Sequence, residues 1–305
     1  MQEKQAFRSG FINIVGKPNA GKSTLMNALV GERISIITNK PQTTRHRIIG
    51  IVSDEKEGYQ MVFSDTPGFI KKANYKMQER MNSFVYGAFE DADLMIWVLD
   101  AKEPFGEEEQ KLLELMKGVL SPVFLVINKI DLFKPEEIEA MVAEWKTRMN
   151  FKAILPIAAL HKTGTEELFQ ALLAELHEGP AYYPHDQLTD RPERFFVSEI
   201  IREKILENYH QEIPYSCEVV VNSYKEDSDR ARNLVRIECT IYVSRQSQKP
   251  IMIGQKGQAI KNLGIKSREA IERFIEKNVH LELFVKVKED WRDNEHTLDL
   301  FGYQG

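Results

Sequence analysis

The sequence predicts an α/β fold, a doubly wound and mostly parallel sheet, followed by a smaller α+β domain. Two observations carry the first part. Short, nearly continuous apolar runs recur up to about residue 176, as in strands covered on both faces, and helical patterns separate them. A third observation carries the second part: after a proline-rich break, the patterns change to amphipathic helix, alternating strands and a basic helical region.

The strand candidates are FINIV (11–15), RIIGIVS (47–53), YQMVFS (59–64), LMIWVLD (94–100), PVFLVIN (122–128) and AILPIA (153–158). Helices are expected from Lys22 onward and over 75–89, 107–117, 135–149 and 165–177. Pro135 followed by Glu136 and Glu137 suits a helix start, with proline in the first turn and acids at the positive end of the dipole. The stretch EGPAYYPHDQLTDRP (178–192) carries three prolines and a glycine and reads as an interdomain linker. Beyond it, Phe196, Ile200, Ile201, Ile205 and Leu206 line one face of a helix. CEVVVNSYK, LVRIECTIYVS and HLELFVKVK follow as strands. The expected boundaries are 1–178 for the first domain, 179–193 for the linker, 194–290 for the second domain and 291–305 for a short, mobile tail.

At 305 residues and 42% hydrophobic, the composition is that of an ordinary soluble chain long enough for two domains. The longest apolar runs fall far short of the roughly 20 residues that span a bilayer, and MQEKQAFRSG has no apolar signal core. Cys217 and Cys239 sit in strand-like stretches without a CxxC or a Cys/His cluster, so buried reduced thiols are expected. These features predict a cytoplasmic protein. A net charge of −5 argues against a wholesale nucleic-acid coat, yet residues 245–268 hold six basic side chains and no acidic one.

GKPNAGKS (16–23) fits G-x-x-x-x-G-K-[ST] between a strand and a helix, the context a phosphate-binding P-loop requires. Backbone N–H groups of Gly16, Lys17, Pro18, Asn19, Ala20, Gly21, Lys22, Ser23 and Thr24, proline excepted, would curl around phosphates. Lys22 would reach the β- and γ-phosphates, and the Ser23 hydroxyl would ligate magnesium. In SDTPGF (64–69), Asp65 would hold magnesium through water, and the Gly68 N–H would touch the γ-phosphate, with Thr66, Pro67 and Phe69 alongside. NKID supplies Asn128, Lys129, Ile130 and Asp131; the Asp131 carboxylate matches the paired N–H groups of guanine, which adenine lacks. The three motifs in this order predict GTP binding. Between the first two lies NKPQTTRHR (39–47), where Thr44, or alternatively Thr43, would close on magnesium and γ-phosphate. Phe69 stands where Ras-like GTPases carry a water-orienting glutamine, so hydrolysis must proceed without one. In the second domain, Gly254, Gln255, Lys256 and Gly257 form a GxxG that lets a phosphodiester approach the backbone. Lys249 and Lys261, with Lys256 and Lys266, would supply phosphate contacts, while Ile251, Ile253 and Ile260 would pack the unit onto its sheet.

GKPNAGKS, PQTTRH, DTPGF and NKID stand in the order of the Era family of TRAFAC-class GTPases, and IMIGQKGQAIKNLG (251–264) resembles the KH signature. The resemblance covers almost the whole chain. It implies a P-loop GTPase domain followed by a type II KH domain, GTP/GDP and magnesium as ligands, and slow intrinsic hydrolysis. It also implies binding to 16S rRNA near its 3′ end, with a role in rRNA processing and maturation of the small ribosomal subunit. A monomer, with peripheral contact to the inner face of the membrane, goes with that reading. The fifth GTPase motif usually carries serine-alanine; here Ala158, Ala159 and Leu160 take its place, leaving the family's backbone contact to the guanine oxygen intact. By the same resemblance, Phe69 turns away from the γ-phosphate and Asn19 ligates potassium, the alternative being that Asn19 only caps the loop. A different class of function is a signalling switch acting on a protein or at the membrane surface, its basic patch facing anionic lipid. Sequence-dependent RNA binding separates the two.

Overall fold

The computed structural model describes residues 6–227 and 233–303. Its contacts divide the chain into two units: residues up to Ala73 with Gln78–Asp190, and Arg191 onward with Asn74–Met77.

In the first unit, β1 (Arg8–Gly16), β3 (Tyr59–Asp65), β4 (Leu94–Asp100), β5 (Val123–Asn128) and β6 (Ala153–Ile157) run parallel. β2 (Ile48–Asp54) joins antiparallel at one edge, giving the order β2-β3-β1-β4-β5-β6. The apolar runs are buried because helices cover both faces. α2 (Lys76–Glu90), α3 (Glu107–Lys117) and α4 (Pro135–Lys146) place Val85, Leu112 and Trp145 against Trp97, Leu125 and Ile127. α1 (Lys22–Val30) and α5 (Thr165–Glu175) contact one another, and α1 also contacts β1, β2 and β3. α5 ends earlier than the 165–177 pattern because β7 (His177–Glu178) pairs antiparallel with the start of β1.

The proline-rich stretch does not hang free. Its residues up to Thr189 are stitched to the first unit. Gln60 is fully buried in β3; its amide donates to the Tyr183 carbonyl (2.8 Å) and accepts from Tyr182 N (2.7 Å) and Tyr183 N (3.0 Å). The Thr189 hydroxyl donates to Ile49 O (2.6 Å), and Ile51 N donates to Leu188 O (2.8 Å).

In the second unit, α6 (Glu193–Asn208) is followed by β8 (Cys217–Glu226), β9 (Leu234–Val243), α7 (Gln248–Ile253), α8 (Gln258–Ile275) and β10 (Asn278–Val287). β9 lies between β8, antiparallel to it, and β10, parallel to it. This α-β-β-α-α-β order is the type II KH arrangement expected. Val197, Ile201 and Ile205 of α6 and Leu263 and Ile271 of α8 close over the sheet, with Cys217 and Cys239 buried as free thiols.

Two expectations need correction. Ile251 is 53% exposed, and Ile253 and Ile260 are only half-buried; Met252 instead enters the core. A six-residue helix presents one side to the sheet, and the residues flanking Met252 are turned about 100° away from it. The C-terminal segment is also not a loose tail. Trp291, Leu298 and Tyr303 are fully buried. The Trp291 indole donates to Ser216 O (3.0 Å), the Tyr303 hydroxyl donates to Glu218 (2.6 Å), and Asn294 caps α9 (Glu295–Leu300) by accepting from Thr297 N (2.9 Å). Buried aromatics with satisfied polar ends hold this segment in place.

Candidate functional site

A cleft of about 570 Å³ opens at the carboxyl ends of the parallel strands, where sheets of this kind place ligands. Its floor is the loop between β1 and α1. Gly21 has φ 97°, and a side chain there would collide with the Asn128 amide at 2.1 Å, so the loop passes close to the NKID segment only as glycine. Asn128 ties three motifs together: its amide donates to Ala20 O (2.9 Å) and accepts from Ala159 N (3.0 Å). The Lys129 ammonium donates to Asn19 O (2.8 Å) and pairs with Asp100 (2.5 Å).

Pro18, Asn19, Gly21, Lys22, Ser23, Thr24, Thr44, Gly68, Asn128, Lys129, Asp131, Ala159 and Leu160 all line the cleft. Thr66, Pro67 and Phe69 are buried beside it, and Ala158 lies beneath it. The Phe69 ring is fully buried against α2, edge-on to Tyr86 at 6.4 Å, with the Lys111 ammonium 5.3 Å from its centroid. It cannot address a water in the cleft. Both switch threonines line the cleft, and Thr44 is the one that joins the Ser23–Asp65 cluster: its hydroxyl lies 2.8 Å from the Ser23 hydroxyl and donates to Asp65 at 3.4 Å. Thr43 instead bonds Thr38 (2.6 Å) and Lys40 O (2.7 Å) within its own loop. Asn19, at φ 63°, donates its amide to Asn39 O at 3.4 Å.

Ser23, Thr44 and Asp65 form a compact oxygen cluster, Ser23 donating to Asp65 at 2.6 Å. Asp65 is fully buried, and its Oδ1 has no hydrogen-bond partner among the described residues. Burial pushes its carboxyl above the ordinary range, against the pull of the Lys22 ammonium. A buried carboxylate with an unfilled oxygen beside two hydroxyls suits a hard divalent cation such as magnesium. Among the described residues, no group of three or more His, Cys, Asp or Glu offers another metal centre.

Lys22 is fully buried and donates to Gly16 O (3.1 Å) and Lys17 O (2.8 Å). Burial lowers its pKa to about 8, and Asp65 opposes the shift. Phosphates stabilise the ammonium, so above pH 8 nucleotide binding must take up a proton, and below it none. Affinity for GDP is therefore expected to fall as pH rises above 8. Calorimetry at pH 8.5 in two buffers of different ionisation enthalpy should register net proton uptake.

The sequence reading missed Ile36, Ile37, Thr38, Asp100, Glu103 and Leu132, which also line the cleft. Asp100 was findable, since it ends a buried strand at the ligand edge of the sheet; Glu103 and Leu132 carry no local signal.

Together, a doubly wound sheet, a P-loop, a switch threonine beside a buried carboxylate and a guanine-matching Asp131 define a GTPase, here joined to a KH unit. Residues 11–129 match a family model described as 50S ribosome-binding GTPase, and residues 212–292 match the KH domain. The chain belongs to the Era family of GTPases: it is 44% identical over 304 residues to GTPase Era of Geotalea uraniireducens (strain Rf4), covering 100% of both chains. It is 45% identical to the chloroplastic GTPase ERA1 of Zea mays, covering 98% of this chain and 71% of that one. Among solved structures, an Era in complex with MgGDPNP and nucleotides 1506–1542 of 16S ribosomal RNA superposes with a TM-score of 0.93 at 36% identity, covering 98% of this chain and 100% of that one. An Aquifex aeolicus Era variant bound to GDP and AlF4⁻ gives 0.92 at 35%, covering 98% and 100%.

In the second unit, Gly254 (φ 75°, ψ 174°) and Gly257 (φ 76°, ψ 11°) bracket Lys256, itself left-handed at φ 50°. Gln255 and Lys256 are exposed at the turn, and Lys249 and Lys261 flank it on α7 and α8. The Lys266 ammonium is engaged by Asn208.

Proposed function

We propose that this GTPase binds 16S rRNA near its 3′ end and times its attachment to the maturing small ribosomal subunit by the state of its nucleotide. The observation that carries the reading is the GxxG turn. Its two glycines take backbone conformations that clear side chains from a loop edged by Lys249, Lys256 and Lys261, the geometry of a clamp on about four nucleotides. The solved relative that holds small-subunit RNA covers both units, whereas the family model whose description mentions the 50S subunit matches only residues 11–129.

In this reading, Ser23 and Thr44 would hold magnesium, with Asp65 acting on it through water, and the ion would supply positive charge against the phosphates. Lys22 adds a cation at the β- and γ-phosphates, and the Gly68 N–H meets the γ-phosphate. With Phe69 in the core, backbone groups of the segment around Thr44 orient the water, which makes intrinsic hydrolysis slow. Asn19 would hold a potassium ion beside the phosphates; hydrolysis faster in KCl than in NaCl tests this. The protein acts as a monomer in the cytoplasm, and no helix among the described residues is long and apolar enough to cross a membrane.

Crosslinking to total RNA with GTP and then GDP tests the function. Enrichment of the 16S 3′ end that depends on the nucleotide is expected. Binding to anionic vesicles without RNA sequence preference would replace this reading by a membrane-surface switch.

A further inference from the structure

The P-loop is gripped from outside by a segment that no motif contains. The Lys17 ammonium lies 2.8 Å from Glu109 and 2.5 Å from Glu103, with Glu108 at 3.8 Å. Glu109 is buried at the start of α3, and its other oxygen accepts Gly106 N at 3.0 Å. It is thus fixed at both ends, to the helix it begins and to the P-loop. The carbonyl of Lys17 accepts from Lys22 at 2.8 Å. A parallel arrangement holds the next turn of the loop, where Asp100 grips Lys129, which in turn donates to Asn19 O. Residues 100–109 therefore set the P-loop through two lysines, Lys17 tied to three carboxylates and Lys129 to one.

We propose that Lys17 and Glu109 are positioning residues for nucleotide binding: their ion pair holds the P-loop carbonyl on which Lys22 rests and so keeps the phosphate cradle formed before nucleotide arrives. The proposal rests on the GTPase reading of the same loop. Exposed ion pairs contribute little, but this one joins a largely covered lysine to a buried, doubly engaged carboxylate, where loss of one partner strands the other. Preorganisation of this kind lowers the cost of ordering the loop on binding. GDP and GTP share the cradle, so a loosened loop weakens both alike and raises KM while leaving turnover at saturation nearly unchanged.

The test measures GDP affinity, KM and kcat for the full chain and for Lys17→Met, Lys17→Arg and Glu109→Gln. The glutamine keeps an acceptor for Gly106 N and removes only the charge. Lys17→Met is expected to weaken GDP and raise KM about tenfold, and Glu109→Gln about threefold, with kcat within about threefold. Lys17→Arg should restore the ion pair and bind within about twofold of the unaltered chain. The double variant Lys17→Met with Glu109→Gln should bind no worse than Lys17→Met alone, because the two act as one unit. Unchanged affinity in Lys17→Met, additive losses in the double variant, or a fall in kcat at constant KM would each overturn the proposal; the last is the signature of a fold merely damaged. Absence of hydrolysis in the unaltered chain would instead sink the GTPase reading itself.

Discussion

Asp131→Asn is expected to weaken GTP binding at least a hundredfold while improving binding of xanthosine triphosphate. Asp131 lines the cleft with its side chain 32% exposed, and Leu132 and Leu160 line the same cleft. Guanine presents a ring N–H and an exocyclic amine side by side, and a carboxylate accepts both. Hydrogen bonds to a charged group contribute about 1.5–3 kcal/mol each; the exchange removes one of them outright and strips the other of its charge, a loss of roughly 3 kcal/mol or more, about two powers of ten. Asparagine still accepts from the ring N–H, but its amino group opposes the guanine amine. Xanthine carries a carbonyl at that place, which the asparagine amide can satisfy. The His161 ring lies 3.7 Å from the same carboxylate and is too exposed to substitute for it. Titration with fluorescent guanosine and xanthosine nucleotides decides the matter, and equal GTP affinity in the variant would remove Asp131 from base recognition.

The second large effect separates the two glycines of the GxxG turn, which substitution by aspartate should not affect alike. At Gly257 the backbone is left-handed and nothing lies within 4 Å of an added Cβ. Asp there costs about 1–2 kcal/mol of conformational energy, which the unit should survive. It also sets a negative charge next to Lys256 where a phosphate would sit. Binding of a 16S 3′-end oligonucleotide should drop at least tenfold with a shallower salt dependence, while GTP hydrolysis stays as it was. At Gly254, ψ 174° with positive φ is a conformation essentially reserved for glycine, and a Cβ would meet the Ala259 Cβ at 2.5 Å. Gly254→Asp should therefore lower the melting temperature of the second unit as well as RNA affinity. Thermal unfolding alongside filter binding distinguishes the two outcomes. Wild-type RNA affinity in Gly257→Asp would refute the clamp.

How much of this was legible in sequence follows from where the information sits. Each nucleotide motif is a contiguous string whose own backbone does the binding, so GKPNAGKS, SDTPGF and NKID could be read without a fold. The near-continuous apolar runs located the parallel strands for a similar reason, since burial on both faces needs no partner to be recognised. The rest depends on residues far apart in the chain. Gln60 looks like an ordinary strand residue until residues more than 120 positions away meet its amide. Trp291 and Tyr303 read as tail until Ser216 and Glu218 are seen beneath them. α7 is too short for periodicity to show which of Ile251, Met252 and Ile253 faces inward. Lys17 lay inside a recognised motif, yet the carboxylates that give it a task come from the β4–α3 connection and the first turn of α3.

The stitching of the proline-rich stretch has a consequence for association between chains. β2 is the last strand on its side of the sheet, and such a strand offers unpaired N–H and C=O groups to any other extended chain. Here Leu188 and Thr189 occupy Ile51 N and Ile49 O. The segment that leads out of the first unit thus also shields its open edge. A fragment ending at Glu178 would keep every nucleotide motif and still present that edge to its neighbours in solution, inviting the strand-to-strand aggregation that the longer chain avoids.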